Sequence, residues 1–285
     1  ALQQHTLFSC ERYMITGGLG GLGTSIIPML SDAGVTAIAV ASRSGRMAHS
    51  NHSISVQEKQ VLTLVVSDVS DAADAALLFM NVLPTGLLHA AGVLHDTMLR
   101  SMTSIPMRTV FAPKALAASR LQAFSASTAL NTFGVFSSVA SVFGNIGQAN
   151  YAAANSYLDR FTSLRRYCGS SGSSLQIPAV EDAGMGAATF TKEQLNAMGA
   201  LSLKDFLACL TTSLAPTHAA MERAQAPLTR ALQAIAVAAG LCELEQEAVH
   251  DDASVTPPSS AKGTSNPLLV RSSALQRRVN LETAV

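Results

Sequence analysis

Residues 12–44 read RYMITGGLGGLGTSIIPMLSDAGVTAIAVASRS, and this stretch decides the fold. Arg12 to Thr16 is a short β-prone run, and the glycine-rich turn Thr16–Gly23 follows without a break. An apolar stretch of helical character comes next, with Pro28 out of keeping inside it. Residues 35–41, VTAIAVA, are continuously apolar, as a strand covered on both faces should be. Strand, glycine turn, helix and second strand therefore occur in order. The glycines allow the backbone to come close to a pyrophosphate, and the helix N-terminus offers unpaired N–H groups to it. A tight turn without a ligand is the plain alternative, and the full βαβ context speaks against it. A Walker-type phosphate loop is disfavoured because no lysine follows the last glycine.

The expected fold is α/β, a Rossmann-type doubly wound parallel sheet flanked by helices. In it Gly17, Gly20, Gly21, Leu22 and Gly23 form the cofactor turn. The end of the second strand selects the nucleotide. A free ribose 2′-hydroxyl calls for a carboxylate there and a 2′-phosphate for a cation. This chain has Ser42-Arg43-Ser44 and no acid until Glu58. Arg43 offers a planar fork and the serines offer hydroxyls, so NADPH is expected rather than NADH.

Residues 45–60 are polar and read as a loop, in which His49 and His52 are surface residues without metal-ligand spacing. A third strand is expected over 61–69. At its end Asp68 either accepts from an adenine amino group, with Val69 packed on the ring, or is a turn residue with Ser70 capping the next helix. A helix over 73–83 leads to a fourth strand, TGLLHAAG (85–92). Its small residues Ala90, Ala91 and Gly92 leave room for ribose and nicotinamide, and His89 reads as a buried supporting residue. Residues 97–124 read as a helix interrupted near Pro106. Lys114 lies in its apolar second half, where a snorkelling lysine is the simplest account.

The tract TFGVFSSVASVFGNIGQANYAAANSYLDRFTSLRRYC (132–168) carries the chemistry. Ser138 ends a buried strand, Tyr151 lies on the following helix, and Asn155 is four residues further along the same face. A strand-end hydroxyl opposite a Tyr/Asn face is an active-site arrangement. A sixth strand is expected over 174–180. Residues 184–200, beginning Gly184-Met185, read as a mobile substrate lid followed by a short helix. The stretch LSLKDFLACLTTSL is a helix capped by Ser202 with Asp205 three residues on.

Composition sets the bounds. The chain has 285 residues, 48% of them hydrophobic, enough for one large domain and its core. Nineteen basic residues balance nineteen acidic ones, which gives no reason to expect nucleic acid as a partner. No run approaches the roughly 18 apolar residues needed to span a bilayer. Cys10, Cys168, Cys209 and Cys242 show no metal spacing and read as buried thiols in a reducing compartment. Only 13% of residues are charged and the first is alanine, which suggests a piece of a larger polypeptide. The expected organisation is a catalytic domain over 1–212, a helical extension over 213–243, and a disordered linker over 244–285 leading towards a carrier domain. The expected location is cytoplasmic or the stroma of an organelle such as a plastid.

Together these motifs resemble the short-chain dehydrogenase/reductase superfamily and, within it, the ketoreductase domain of modular (type I) polyketide synthases. The carriers are Thr16, Gly17, Gly21 and Gly23, the strand-end Asp68-Val69, His89-Ala-Ala-Gly92, and above all FSS…GQANYAAANSYLD (136–159). Ordinary members of the superfamily have a lysine four residues after the tyrosine, where this chain has Asn155. Polyketide ketoreductases are similar in having asparagine there and taking the lysine from the preceding helix, at what corresponds to Lys114. The resemblance implies reduction of a β-ketoacyl thioester by NADPH on an acyl carrier protein with a phosphopantetheine arm, beside neighbouring synthase domains. It implies Tyr151 as proton donor, Ser138 on the carbonyl oxygen, Lys114 as a cation that lowers the tyrosine pKa, and Asn155 orienting the lysine or a relay water. No metal is needed. Leu94-His95-Asp96 resembles the L-x-D of members giving the D-configured (B-type) alcohol. The other type has tryptophan where this chain has Phe143. The family's tryptophans near the sixth strand are missing, and only a dozen residues stand before the glycine turn, so the truncated subdomain that precedes the catalytic half in relatives is not expected within these 285 residues. Rival readings are the equivalent ketoacyl reductase of a multidomain fatty-acid synthase, a non-catalytic structural domain of the same fold, and a methyltransferase, which has no use for the Ser/Tyr/Asn set.

Overall fold

The computed structural model describes residues 12–47, 60–126, 128, 130–181, 183–197 and 199–214. Six parallel strands form one sheet in the order β3-β2-β1-β4-β5-β6. They are β1 (Arg12–Thr16), β2 (Ala37–Ser42), β3 (Val61–Val66), β4 (Gly86–His89), β5 (Thr132–Ser138) and β6 (Ser173–Ile177). The order reverses between β1 and β4, and in a doubly wound sheet the ligand crevice lies outside the strand ends at that point.

Helices cover both faces, and the strands alternate to meet them. Tyr13 and Ile15 of β1, Leu88 of β4 and Phe136 of β5 pack with α1 (Gly21–Asp32) and α9 (Leu203–Leu214). Met14, Leu87, Phe133 and Val135 point the other way, into Leu78 and Phe79 of α2 (Ala72–Val82), Leu121 of α4 (Ala117–Ser125) and Leu158 of α6 (Ala149–Tyr167). The expected doubly wound architecture is the one observed.

Several local expectations are corrected. Pro106 does not interrupt a helix: it lies in the first turn of α3 (Ser104–Phe111), where the N–H that proline lacks has no intrahelical partner anyway. The irregularity comes later, as a π-helical turn at Ala112–Leu116 between α3 and α4. Asp71 rather than Ser70 caps α2, accepting from the N–H groups of Ala73 and Asp74, while Ser70 bonds Asp68. Strand β6 ends at Ile177, and Val180 forms only an isolated bridge with Leu201. The segment expected as a lid followed by a short helix carries that helix as α8 (Lys192–Ala197) and a further one before it, α7 (Gly184–Thr189). Among the cysteines Cys168 is buried as expected but Cys209 is exposed, because it lies on the outer face of α9.

The capping box on α9 forms as expected, with the Asp205 N–H donating to Ser202 Oγ at 3.1 Å and Ser202 Oγ to the Asp205 carboxylate at 2.7 Å. Helix α9 runs through the expected boundary at 212, and Leu214 packs in the core. The helical extension and linker expected from 213 onward, and the residues Cys10, His49, His52, Glu58 and Cys242, otherwise lie outside the described residues.

Candidate active site

The strand ends open into a cleft of about 1040 Å³. One end is the glycine turn. Gly17 has φ +70°, and a Cβ there would meet the Ala91 backbone at 2.5 Å, so only glycine lets β1 turn beside β4. Helix α1 starts from Gly20 without a side-chain cap, leaving N–H groups of its first turn available to an anion. Ser42, Arg43 and Ser44 line the cleft at the end of β2, together with Arg46, whose backbone N–H donates to Ser44 Oγ at 3.2 Å. Asp68, the buried Val69, Ala90, Ala91 and Gly92 line it between the two ends. Asp68 accepts from the N–H and hydroxyl of Ser70, the turn role, and it also borders the cleft. An uncapped helix start, a cation at the end of β2 and small residues between them fit an anionic dinucleotide.

The other end of the cleft holds Ser138, Tyr151 and Lys114. Tyr151 is only 8% exposed and packs with Val110, Ala140 and Ala154, against Leu94 and Met185. Lys114 is 3% exposed, so it does not snorkel. Its Nζ donates to the Phe136 carbonyl at 2.9 Å and stands 5.3 Å from the centre of the Tyr151 ring. The π turn aims it. The Lys114 carbonyl accepts from His89 Nε2 at 2.9 Å, and His89 Nδ1 faces Thr16 Oγ1 at 2.6 Å. A carbonyl can only accept, so Nε2 carries the proton and Nδ1 accepts from the threonine. Gly92 makes room for the lysine, because a Cβ there would come within 2.8 Å of its Cε.

Burial dominates the electrostatics. It lowers the Lys114 pKa from 10.5 to about 7, against an opposing pull from Asp159. His89 falls to about 4, mainly through burial, and is neutral at physiological pH. Tyr151 departs from expectation. Its phenol is raised rather than lowered, because burial outweighs the opposing influence of the nearby polar side chains of Asn155 and Ser138. Lys114 faces the ring of the tyrosine, and its own charge is weakened by burial.

Asn155 is fully buried beneath the site and makes no hydrogen bond to Lys114. Its Nδ2 donates to the Tyr151 carbonyl at 2.8 Å, and its Oδ1 has no partner among the described residues. Ser138 Oγ accepts from the Ala140 N–H at 3.2 Å. Gly184 and Met185 line the cleft. Asp96 and Phe143 do not: Asp96 is held from outside by Gln148 Nε2 at 3.1–3.2 Å, and the Phe143 ring is 84% exposed on α5 (Ala140–Phe143). Gln148, Arg46 and the Phe136 carbonyl escape the sequence reading, and so does Asp159. For Asp159 there is a signal: it continues the Tyr151–Asn155 spacing by another four residues.

The family described as the KR domain matches residues 12–182. The polyketide synthase GfsA of Streptomyces halstedii is 37% identical over 180 residues, which cover 60% of this chain and 2% of that protein. The spectinabilin polyketide synthase system protein NorB of Streptomyces orinoci is 33% identical over 220 residues, 72% of this chain and 10% of that protein. Among solved structures, one described as A-type ketoreductases from a modular polyketide synthase is 29% identical. It superposes with a TM-score of 0.63 over 71% of this chain and 45% of its own. An N-terminal ketoreductase from the macrolactin assembly line is 26% identical, with a TM-score of 0.60 over 72% of this chain and 43% of its own. The chain thus spans a small part of these curated relatives and under half of these solved chains.

Proposed function

The chain belongs to the ketoreductase (KR) domain family, and on that premise we propose that it reduces a β-ketoacyl thioester to the β-hydroxyacyl thioester with NADPH. The observation that carries this reading is the convergence of Ser138, Tyr151 and buried Lys114 at one end of a cleft whose other end is an uncapped glycine turn with Arg43. The substrate arrives on the phosphopantetheine arm of an acyl carrier protein, within a polyketide assembly line of neighbouring synthase domains. The polyketide synthases among its relatives support that context. Among the described residues no helix is long and apolar enough to cross a membrane.

NADPH would be held by the α1 N-terminus and Gly17–Gly23 at its pyrophosphate, by Arg43 and the flanking serines at its 2′-phosphate, and by Asp68 and Val69 at adenine. When bound, it supplies hydride to the β-carbonyl carbon. Ser138 donates to the carbonyl oxygen. Tyr151 transfers its phenolic proton to that oxygen as negative charge develops there, and these two donors give the electrostatic stabilisation. A phenol whose pKa burial raises stays protonated at neutral pH, which is the state that reduction requires. Lys114 contributes positive charge beneath the ring and a donor toward the cofactor ribose. Asn155 holds the helix backbone under Tyr151 and leaves its Oδ1 for a proton relay.

The B-type, D-hydroxy outcome is part of the proposal. Leu94 borders the cleft, Asp96 is fixed by Gln148, and no aromatic side chain from position 143 enters the cleft.

The test incubates the chain with NADPH and a β-ketoacyl thioester on pantetheine or a carrier protein, following absorbance at 340 nm and product configuration. Turnover that Tyr151→Phe lowers by about 10²-fold or more is expected. A folded wild type without turnover would leave a structural domain of the same fold as the better reading, and an L-configured product would refute the stereochemical part.

A further inference from the structure

Ser67 follows the last residue of β3 and lines the cleft at its Arg43 end. Its backbone N–H donates to the Ser42 carbonyl at 3.1 Å, which sets it directly beside the start of the Ser42-Arg43-Ser44 turn. Asp68 and Val69 continue the cleft wall after it. Ser67 is only 4% exposed, and its buried Oγ has no hydrogen-bond partner among the described residues. No other cleft-lining residue carries a buried side-chain oxygen or nitrogen in that state.

Loose local structure does not account for this. The Asp68 N–H donates to the Asp74 carboxylate at 3.0 Å, and Asp68 Oδ1 accepts from the N–H of Ser70 at 3.0 Å and from its hydroxyl at 2.7 Å. The Asp71 N–H closes the turn on the Asp68 carbonyl at 2.9 Å, and Arg120 Nε of α4 donates to the Ser70 carbonyl at 2.8 Å. Residues 68–71 are thus held by one another and by side chains of α2 and α4. Ser67 stands at the foot of this braced turn with its own hydroxyl left over.

A buried hydroxyl without a partner is unfavourable, because it has given up water and gained nothing in return. A bound ligand that supplies the partner removes that penalty. Serine has one heavy-atom torsion with three staggered positions, and with no bond to break Ser67 is free to turn Oγ into the cleft. The neighbours on either side fix what would pass it. Arg43 takes the 2′-phosphate and Asp68 with Val69 takes adenine, so the adenosine 2′-phosphate unit that joins them lies against Ser67. Its ribose oxygens, phosphate oxygens and ring nitrogens are acceptors, and a serine O–H is a donor.

We propose that Ser67 is a further cofactor-binding residue, its hydroxyl donating to the adenosine 2′-phosphate unit between Arg43 and Asp68. This rests on the NADPH reading of the cleft but not on turnover.

The test measures binding and stability and needs no substrate. Dissociation constants are taken by isothermal titration calorimetry for NADPH and for 2′,5′-ADP, which keeps the adenosine 2′-phosphate unit and lacks the nicotinamide half. Wild type is compared with Ser67→Ala and with Ser67→Cys, whose thiol fills the same space but donates weakly. Loss of one neutral hydrogen bond predicts that both variants bind both ligands about fivefold more weakly. Ligand-free Ser67→Ala should melt at or above the wild-type temperature, since it sheds a hydroxyl that burial leaves unsatisfied. Unchanged affinities, a loss confined to NADPH, or a loss in Ser67→Ala alone overturn the proposal. So does a Ser67→Ala chain that melts below wild type or fails to fold, because the hydroxyl would then serve the fold. Wild type that binds neither ligand would overturn this inference together with the NADPH reading. Wild type that binds both but reduces no β-ketoacyl thioester would sink the ketoreductase reading and leave the role of Ser67 standing.

Discussion

Replacing Lys114 by methionine should stabilise the chain at acid pH while disabling the site. The lysine is buried, and its pKa falls from 10.5 to about 7. At about 1.4 kcal/mol per pH unit, holding the ammonium inside costs on the order of 5 kcal/mol at pH 6. The cost shrinks as pH rises, because the folded chain releases its proton near 7 while the unfolded chain keeps one up to about 10.5. Stability therefore climbs with pH across that window and loses ground as pH falls through it. Lys114→Met removes the penalty and forfeits the charged hydrogen bond from Nζ to the Phe136 carbonyl, about 1.5–3 kcal/mol. The variant should be about 2 kcal/mol more stable than wild type at pH 6 and less stable at pH 9.5. The two stabilities, from urea unfolding at both pH values, should shift relative to each other by about 3 kcal/mol. Comparing the two chains removes the contribution of titrating groups that do not interact with Lys114. Turnover at pH 6, where Lys114 is charged in wild type, should fall by about 10²-fold or more. A variant destabilised by the same amount at pH 6 and 9.5 would refute the reasoning, since Lys114 would then titrate alike in folded and unfolded chains.

Further outcomes can be read from single contacts. In Gly21→Ala the new Cβ would sit 2.5 Å from the Gly184 backbone nitrogen, so α7 must move; about 1–3 kcal/mol of stability and a several-fold rise in the KM for NADPH are expected, and an unchanged melting temperature would count against that contact. Arg43→Ala should reduce the preference for NADPH over NADH by about tenfold or more, measured as a ratio of kcat/KM values, and an unaltered ratio would remove Arg43 from the 2′-phosphate. Oxidation of a β-hydroxyacyl thioester needs the Tyr151 phenolate, which its raised pKa makes scarce; that reverse rate should rise about tenfold per pH unit up to pH 10, and a plateau near pH 8 would contradict it.

The parts of this molecule written in local sequence were legible. The period-2 and apolar runs gave all six strands, and the glycine turn gave the switch point of the sheet. Tyr151 and Asn155 share a helix face by spacing alone. What stayed hidden depends on contacts between distant elements. Nothing in VFAPKALAAS says that a π turn will bury Lys114, because its partners, such as His89 of β4 on the Lys114 carbonyl, come from elsewhere in the chain. The direction of the Tyr151 shift was missed for the same reason. Sequence suggests which charge is near a phenol, but the balance depends on how much water both groups lose. Pro106 misled because proline is disruptive inside a helix and harmless in its first turn, and the start of α3 is set by tertiary packing.

The lysine is also supported from the cofactor side, and this support has its own pH limit. Thr16 ends β1 at the glycine turn, His89 ends β4, and the chain Thr16 hydroxyl, His89 ring, Lys114 carbonyl links the two strand ends to the π turn. It works only with neutral His89, since a second proton on Nδ1 would face a threonine oxygen that must then turn round to accept. Burial holds that proton off until about pH 4, against 6.5 in the unfolded chain. Between those values the unfolded state binds the extra proton, so this contribution is present in full above 6.5 and is lost as pH falls through 4, on the order of 3 kcal/mol in all. His89→Gln, whose amide can both donate to Lys114 and accept from Thr16, lacks the titration. Between pH 7 and 4 the wild type should therefore lose about 3 kcal/mol more unfolding free energy than His89→Gln. Parallel losses would show that the histidine is not held neutral, and the account of how Lys114 is aimed would fail with it.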